Sequence, residues 1–149
     1  MHDPVTVRRR DAAQWTLDTF RRRKFKLGTN DCVRMTAAHL RQLGHKVKLP
    51  PAGSYASPAS ALKRLRERGY DTLAAALEAH GLKPIPPAAA IVGDVLRLPW
   101  LEEETGAEPL CGLAVALGNG RVVGFHQDLR GADVLQPLKI LAAWRVPVK

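Results

Sequence analysis

The spacing of apolar positions predicts helices in the first half of the chain. In residues 31–44 the apolar side chains recur every three to four positions, as on one face of a helix: Val33, Ala37, Leu40 and Leu43. Asp31 stands before this run as an N-cap, and Gly44 follows it as a stop. Similar start and stop signals predict three more helices, with Asp11 and Ser57 as the N-caps of the first two, over residues 11–25, 57–69 and 71–81.

The second half of the chain changes to short apolar runs bounded by Gly, Pro, Asn and Asp, a pattern typical of β-strands. Five such runs lie at residues 93–99, 111–118, 121–127, 132–138 and 140–146. Asn119-Gly120, between the second and third runs, is the pair that two-residue hairpin turns prefer. The order predicts an α+β fold, with N-terminal helices packed on a C-terminal antiparallel five-stranded sheet or small barrel. We predict one domain over residues 1–149, with its helical half at about 11–81 and its sheet half at about 93–146.

Composition is that of a globular protein. Of 149 residues, 46% are hydrophobic and 25% are charged. No apolar run approaches the roughly 20 residues that a membrane-spanning helix needs. The first residues have no apolar stretch behind their charges, so we expect no secretory signal and synthesis in a cytoplasm.

Positive charge is concentrated in the N-terminal third. The net charge is +9, and residues 1–50 alone carry 12 Lys and Arg against 4 Asp and Glu. Two basic runs account for most of it: Arg8, Arg9 and Arg10, then Arg21, Arg22, Arg23 and Lys24. Such runs suit a polyanionic partner, either nucleic acid or an acidic protein, but a solvated face that keeps the protein soluble fits equally well.

The two cysteines, Cys32 and Cys111, show no metal-binding pattern. Neither has a second Cys at CxxC spacing, three positions away, or a His at ligand spacing, so we predict no metal site and no cofactor. Cys32 begins a predicted helix, where free N–H groups and the helix dipole favour a thiolate. The adjacent Asp31 opposes this, and a buried core cysteine is the alternative interpretation.

A reactive thiolate needs a base within about 3 Å. His39 lies seven residues along the same predicted helix, which separates it from Cys32 by about 10 Å. His126, in the predicted strand 121–127, is the remaining candidate base, and Gln127 beside it is a candidate supporting residue, as is Asp31.

Three segments resemble NlpC-type cysteine peptidases of the papain fold. The segment "KLGTNDCVRMTAAHL" (26–40) is similar to their Asp-Cys at the head of the first core helix. The segment "GDVLRL" (93–98) resembles the Gly-Asp that opens their sheet, and "GLAVALGNGRVVGFH" (112–126) resembles their strand–turn–strand. Small proteins encoded among phage tail-tip genes combine these motifs with a final strand like "AAWRV", which stands here at 142–146. The resemblance covers most of residues 20–146.

The resemblance implies a papain-like, NlpC-type domain with Cys32 at the nucleophile position. In the enzymes this cysteine cleaves amide bonds in peptidoglycan stem peptides. Their catalytic His falls at or beside Gly112 of this chain, and His126 falls at a second, non-catalytic histidine. A thiol without its imidazole lacks both an activator and an acid for the leaving amine.

Three functions remain open from the sequence. We expect a virion component of a phage or prophage tail tip or baseplate, with a structural or assembly role, a degenerate peptidase site, and tail hub, tape-measure or tip proteins as partners. The first alternative is an active cysteine peptidase or amidase that cleaves peptidoglycan, with Cys32 as nucleophile and His126 as a relocated base. The second is a nucleic-acid-binding protein that uses the two basic runs.

Overall fold

The chain folds into four helices followed by an antiparallel sheet. The computed structural model describes residues 4–99, 112–125 and 131–149. The helices are α1 (Pro4–Phe20), α2 (Cys32–Gln42), α3 (Pro58–Glu67) and α4 (Leu73–Ala79). The strands are β1 (Lys83–Ile85), β2 (Val95–Arg97), β3 (Leu113–Gly118), β4 (Arg121–Phe125), β5 (Ala132–Leu135) and β6 (Ala142–Arg145), with a short 3-10 helix at Pro87–Ala89. The predicted α+β class is confirmed.

The strands form one sheet in the order β1-β6-β2-β3-β4-β5, and every neighbouring pair is antiparallel. Helices α1 and α2 pack on one face and enclose the main core, which includes Leu17, Met35, Leu40, Val95, Val115, Val123 and Trp144. Alternate strand residues point to the opposite face, where a smaller cluster consists of Leu96, Ala114, Ala116, Val122 and Ala143. The connection from β5 to β6 adds Ile140 to this second cluster.

Local sequence signals located most element boundaries. Asp31 is the N-cap of α2, and Ser57 forms a capping box with Ser60 at the start of α3. Asn119 and Gly120 have φ angles of 55° and 75°, the positive values that a type I′ hairpin turn requires. These boundaries follow from hydrogen bonds and backbone angles within a few residues, and the residue types that favour them can be read from the sequence.

Two predictions about the elements were wrong. The sheet has six strands rather than five, because β1 lies in the proline-rich segment before residue 90, where an edge strand tolerates Pro84. The first helix spans Pro4–Phe20 rather than 11–25, so Asp11 lies inside it and caps nothing. It ends early because Arg22 adopts a left-handed conformation with φ 68°. No helix in the described ranges is long and apolar enough to cross a membrane.

Candidate functional site

The Asp-Cys motif lies where the helical half meets the sheet. Cys32 is the first residue of α2, which packs against β3. The residue is 2% exposed and belongs to the main core. Cys32 therefore lies at a helix N-terminus and is buried in the main core.

Asp31 is fully buried, and its carboxylate accepts hydrogen bonds from nearby backbone N–H groups and one hydroxyl. Its Oδ1 accepts from the Arg34 N–H at 2.9 Å, and its Oδ2 accepts from the Gly28 N–H at 2.8 Å and the Tyr55 hydroxyl at 2.9 Å. A buried carboxylate needs such donors to offset its loss of water. The acidic half of the motif thus caps α2 and joins it to the segment around Tyr55.

Arg34 completes this connection and was not identified from the sequence. Its Nε donates to Gly28 O at 2.8 Å and its Nη2 to Pro50 O at 2.5 Å, while the guanidinium lies 5.7 Å from the centre of the Tyr55 ring. Asp31 and Arg34 together hold the start of α2 against residues 50–55. The Asp-x-x-Arg spacing at a helix start was the available signal, but the partners come from a loop about 20 residues away.

His39 is also fully buried, and both of its ring nitrogens are engaged. Its Nε2 lies 2.8 Å from Gly93 O, and its Nδ1 lies 3.0 Å from Thr16 Oγ1. Since a carbonyl can only accept, Nε2 carries the proton of the neutral ring. The single proton of the Thr16 hydroxyl lies within reach of both Nδ1 and, at 2.8 Å, Ala12 O. Burial lowers the pKa of His39, and the nearby Arg9 charge lowers it further against the opposing bond to Gly93. His39 therefore ties α2 to α1 and to the Gly-Asp motif, and it is not a base for Cys32.

We expect the protein to become less stable as the pH drops below 6.5, which is the ordinary pKa of a histidine side chain. Burial also lowers the pKa of His45, whose Nε2 lies 2.5 Å from Pro147 O. Because both groups bind protons more readily in the unfolded chain, stability is full above pH 6.5 and declines by up to about 1.4 kcal/mol per pH unit for each histidine. Urea denaturation between pH 5 and 7 measures this slope. The range begins about a unit above the ordinary pKa values of Asp and Glu, so that their titration contributes little.

The variant His39→Gln tests whether the His39 ring is neutral in the folded protein. It should make the decline of stability with falling pH shallower, by at most the slope of one proton, and His45→Gln should do the same independently. An unchanged slope in His39→Gln would contradict the neutral state assigned to this ring.

The Gly-Asp motif forms a second buried cluster. Asp94 is fully buried and pairs with Arg9 and, at 2.8 Å, with Arg145 Nε. Its carboxylate also accepts from the N–H groups of Val146 at 3.1 Å and Ile91 at 3.0 Å. This carboxylate therefore joins α1, the start of β2 and the end of β6.

Arg9 is therefore a buried residue, and the prediction that it binds a partner at the surface is wrong. It is 4% exposed, and its Nε donates to Val92 O at 2.8 Å in addition to the ion pair with Asp94. Of the predicted partner-binding residues, the six that are exposed are Arg8, Arg10, Arg21, Arg22, Arg23 and Lys24.

Gly112, at or beside which the catalytic His falls in the resemblance, is buried against Leu98, the residue after β2. Leu98 N–H donates to Gly112 O at 2.6 Å, and a Cβ at residue 112 would lie 2.6 Å from Leu98 O. A side chain at this position therefore requires the backbone to move. Cys111, His126 and Gln127 lie outside the described residues, so the proposed pairing of Cys32 with His126 stays a prediction.

Installing an imidazole by Gly112→His should not create a peptidase. We expect the free energy of unfolding to fall by about 1–3 kcal/mol because the Cβ overlaps a main-chain oxygen. Thermal denaturation and a muropeptide hydrolysis assay measure the two effects. Gly112→Ala is the matched control and should reproduce most of the loss, since the Cβ alone makes the contact. A fully stable and hydrolytic Gly112→His protein would contradict this geometry.

Within residues 4–99, 112–125 and 131–149, no group of three or more His, Cys, Asp and Glu side chains could hold a metal ion. No curated protein and no solved structure matches the chain. A family described as a domain of unknown function, DUF6950, matches residues 7–146. Because this match covers nearly the whole chain, the protein belongs to the DUF6950 family.

Proposed function

We propose that the protein is a structural or assembly component of a phage or prophage tail tip or baseplate, with an NlpC-like domain whose peptidase site is degenerate. One observation carries the proposal: both acidic motif residues, Asp31 and Asp94, are fully buried and bonded within the fold. Both carboxylates thus have a role in the fold that does not require catalysis.

The surroundings of Cys32 support the same reading. A peptidoglycan stem peptide must reach the sulfur, but the residue is 2% exposed. His39 is bonded to Thr16 and Gly93, and Gly112, at or beside which the resemblance puts the catalytic His, has no space for a side chain. A nucleophile that its substrate cannot reach is inefficient.

The tail assignment rests on the order of the resembling motifs. The Asp-Cys pair opens a helix that packs on the sheet, the Gly-Asp pair precedes β2, and "AAWRV" covers β6. In this role the protein is made in the host cytoplasm, is assembled into the virion tail, and contacts hub, tape-measure or tip proteins.

Purified virions test the tail assignment. An antibody against the chain should detect it in gradient-purified particles and in complexes with neighbouring tail proteins. Recovery of the chain only as free protein in the lysate would overturn the assignment.

An active cysteine peptidase is the second candidate, and the position of Cys32 favours it. A thiol at the first residue of α2 lies close to free N–H groups and the positive end of the helix dipole. With His126 as base, the native protein should react with a thiol-directed probe and hydrolyse muropeptides, and Cys32→Ala should abolish both. Hydrolysis that survives in Cys32→Ala would exclude this mechanism.

A further inference from the structure

The segment of residues 21–26, called the basic turn below, presents a concentrated positive charge on the surface. It follows the end of α1 and reads "RRRKFK", with five cations around Phe25. All six residues are exposed, and the Phe25 residue is 38% exposed. The basic turn therefore offers an apolar ring flanked by Lys24 and Lys26.

Only part of this charge is neutralised within the described chain. Arg21 pairs with Asp133 at 3.2 Å, and the Arg23 guanidinium lies 5.0 Å from the centre of the Phe20 ring. Among described residues, no acidic side chain pairs with Arg22, Lys24 or Lys26. The helix dipole does not account for these cations either, because its effect fades within the last turn of α1.

Backbone hydrogen bonds hold both ends of the basic turn before any partner arrives, at Arg21–Arg23 and at Lys26, whose N–H donates to Asn30 O at 2.9 Å. Arg21 N–H donates to Leu17 O at 2.9 Å, Arg22 N–H to Ala132 O at 3.3 Å and Arg23 N–H to Phe20 O at 3.0 Å. Arg22 has φ 68°, a conformation that favours Gly or Asn, yet the residue is a cation. A surface that is already ordered loses less conformational entropy when it binds.

Phe25 is held in place on its inner side. Its ring packs edge-to-face on Phe125, with ring centres 5.6 Å apart and an angle of 71° between the planes. The ring is thus fixed by the core while more than a third of the residue remains exposed. An apolar side chain of a partner can contact this remaining area.

We propose that the basic turn is a docking surface for an acidic protein segment that carries an apolar side chain, with Lys24 and Lys26 binding carboxylates on either side of Phe25. This inference deepens the proposed function. The identification of the partner as a tail protein rests on that function. The described surface favours a protein over a nucleic acid for two reasons.

The two basic runs do not form a continuous track for a phosphate backbone. Arg10 and Arg21 are separated by about 16 Å of helix. The exposed positions between them include the acidic residues Asp11 and Asp18. A nucleic-acid groove needs positive charge that follows the backbone over several nucleotides.

The basic turn also has too few open rings for nucleic-acid binding. Phe20 and Phe125 are buried, so Phe25 is the one exposed phenylalanine in the described part of the chain. Single strands are held by several aromatic side chains on which successive bases stack. One ring between two lysines matches a short acidic peptide better.

Fluorescence anisotropy on the full chain tests the proposal with three labelled probes. These are an acidic peptide that contains leucine, the same peptide with leucine replaced by serine, and an oligothymidylate of equal net charge. The double variant Lys24→Glu with Lys26→Glu should weaken binding of the leucine peptide about tenfold. Phe25→Ala should weaken it about fivefold and leave the affinity for the serine peptide unchanged.

The matched control is Lys63→Glu with Lys139→Glu, which changes the net charge equally at exposed sites on α3 and in the β5–β6 connection. Its affinity for the leucine peptide should stay within about twofold of the native value. Equal losses in both double variants, or no binding of the peptide at low salt, would overturn the docking surface. Tighter binding of oligothymidylate that depends on Phe25 would assign the surface to nucleic acid instead.

These outcomes are distinct from failure of the tail assignment. A chain that is absent from virions but binds the leucine peptide through Lys24 and Lys26 overturns the tail role and supports the docking surface. A chain that is present in virions but whose double variant binds like the native protein overturns the docking surface alone.

Discussion

Replacing Asp94 with Ala should lower the free energy of unfolding by about 3–5 kcal/mol. The carboxylate is fully buried, and its removal leaves the Arg9 guanidinium inside the core without a counter-charge. The N–H groups of Ile91 and Val146 lose their acceptor at the same time. An uncompensated buried charge costs more than the ion pair contributed, so the loss exceeds that of an ordinary surface substitution.

Urea denaturation followed by tryptophan fluorescence measures this effect. Asp11→Ala is the control, because Asp11 is exposed and its ion pair with Arg10 at 3.3 Å should contribute less than about 0.5 kcal/mol. The loss of stability for Arg145→Ala should lie between these two values. The Arg145 side chain is 38% exposed, so water can replace part of its bonding to Asp94. A loss for Asp94→Ala that equals the loss for Asp11→Ala would contradict the buried ion cluster.

Asp31→Ala should cost about 3 kcal/mol. It removes the N-cap of α2 and the carboxylate oxygen that accepts from the Gly28 N–H and the Tyr55 hydroxyl. Tyr55→Phe deletes one of these bonds and should cost about 1 kcal/mol. Thermal or urea denaturation of both variants gives the comparison.

The Asp31 series also separates folding from chemistry. If Asp31 serves the fold, Asp31→Ala lowers stability while Cys32→Ala, at the adjacent buried position, changes it by less. An Asp31→Ala protein as stable as the native one would contradict a structural role for the motif. It would then favour a role for this carboxylate beside the thiol.

Motifs that resemble those of an enzyme have an explanation here that needs no catalysis. Asp31 joins the head of the cysteine helix to the segment at Tyr55, and Asp94 joins three elements through Arg9 and Arg145. A domain without a catalytic base would use both carboxylates in the same way to join its elements. The presence of these motifs is therefore evidence about the fold rather than about activity.

The sequence by itself determined the features that depend on near neighbours. The caps at Asp31 and Ser57, the turn at Asn119 and Gly120, and the change from helices to strands all arise from bonds or periodicities within a few residues. It also located the two motif carboxylates, although not their partners. The concentration of charge near the N-terminus was equally visible.

The contacts between distant segments required the folded chain. Arg9 sits in a run of three arginines that looks like a surface cluster, yet it is buried because Asp94, 85 positions later, lies beside it. His39 and Gly112 likewise owe their surroundings to Thr16, Gly93 and Leu98, which only folding brings near. Burial and pairing of a charge depend on which segments meet in space, and local periodicity carries no information about that.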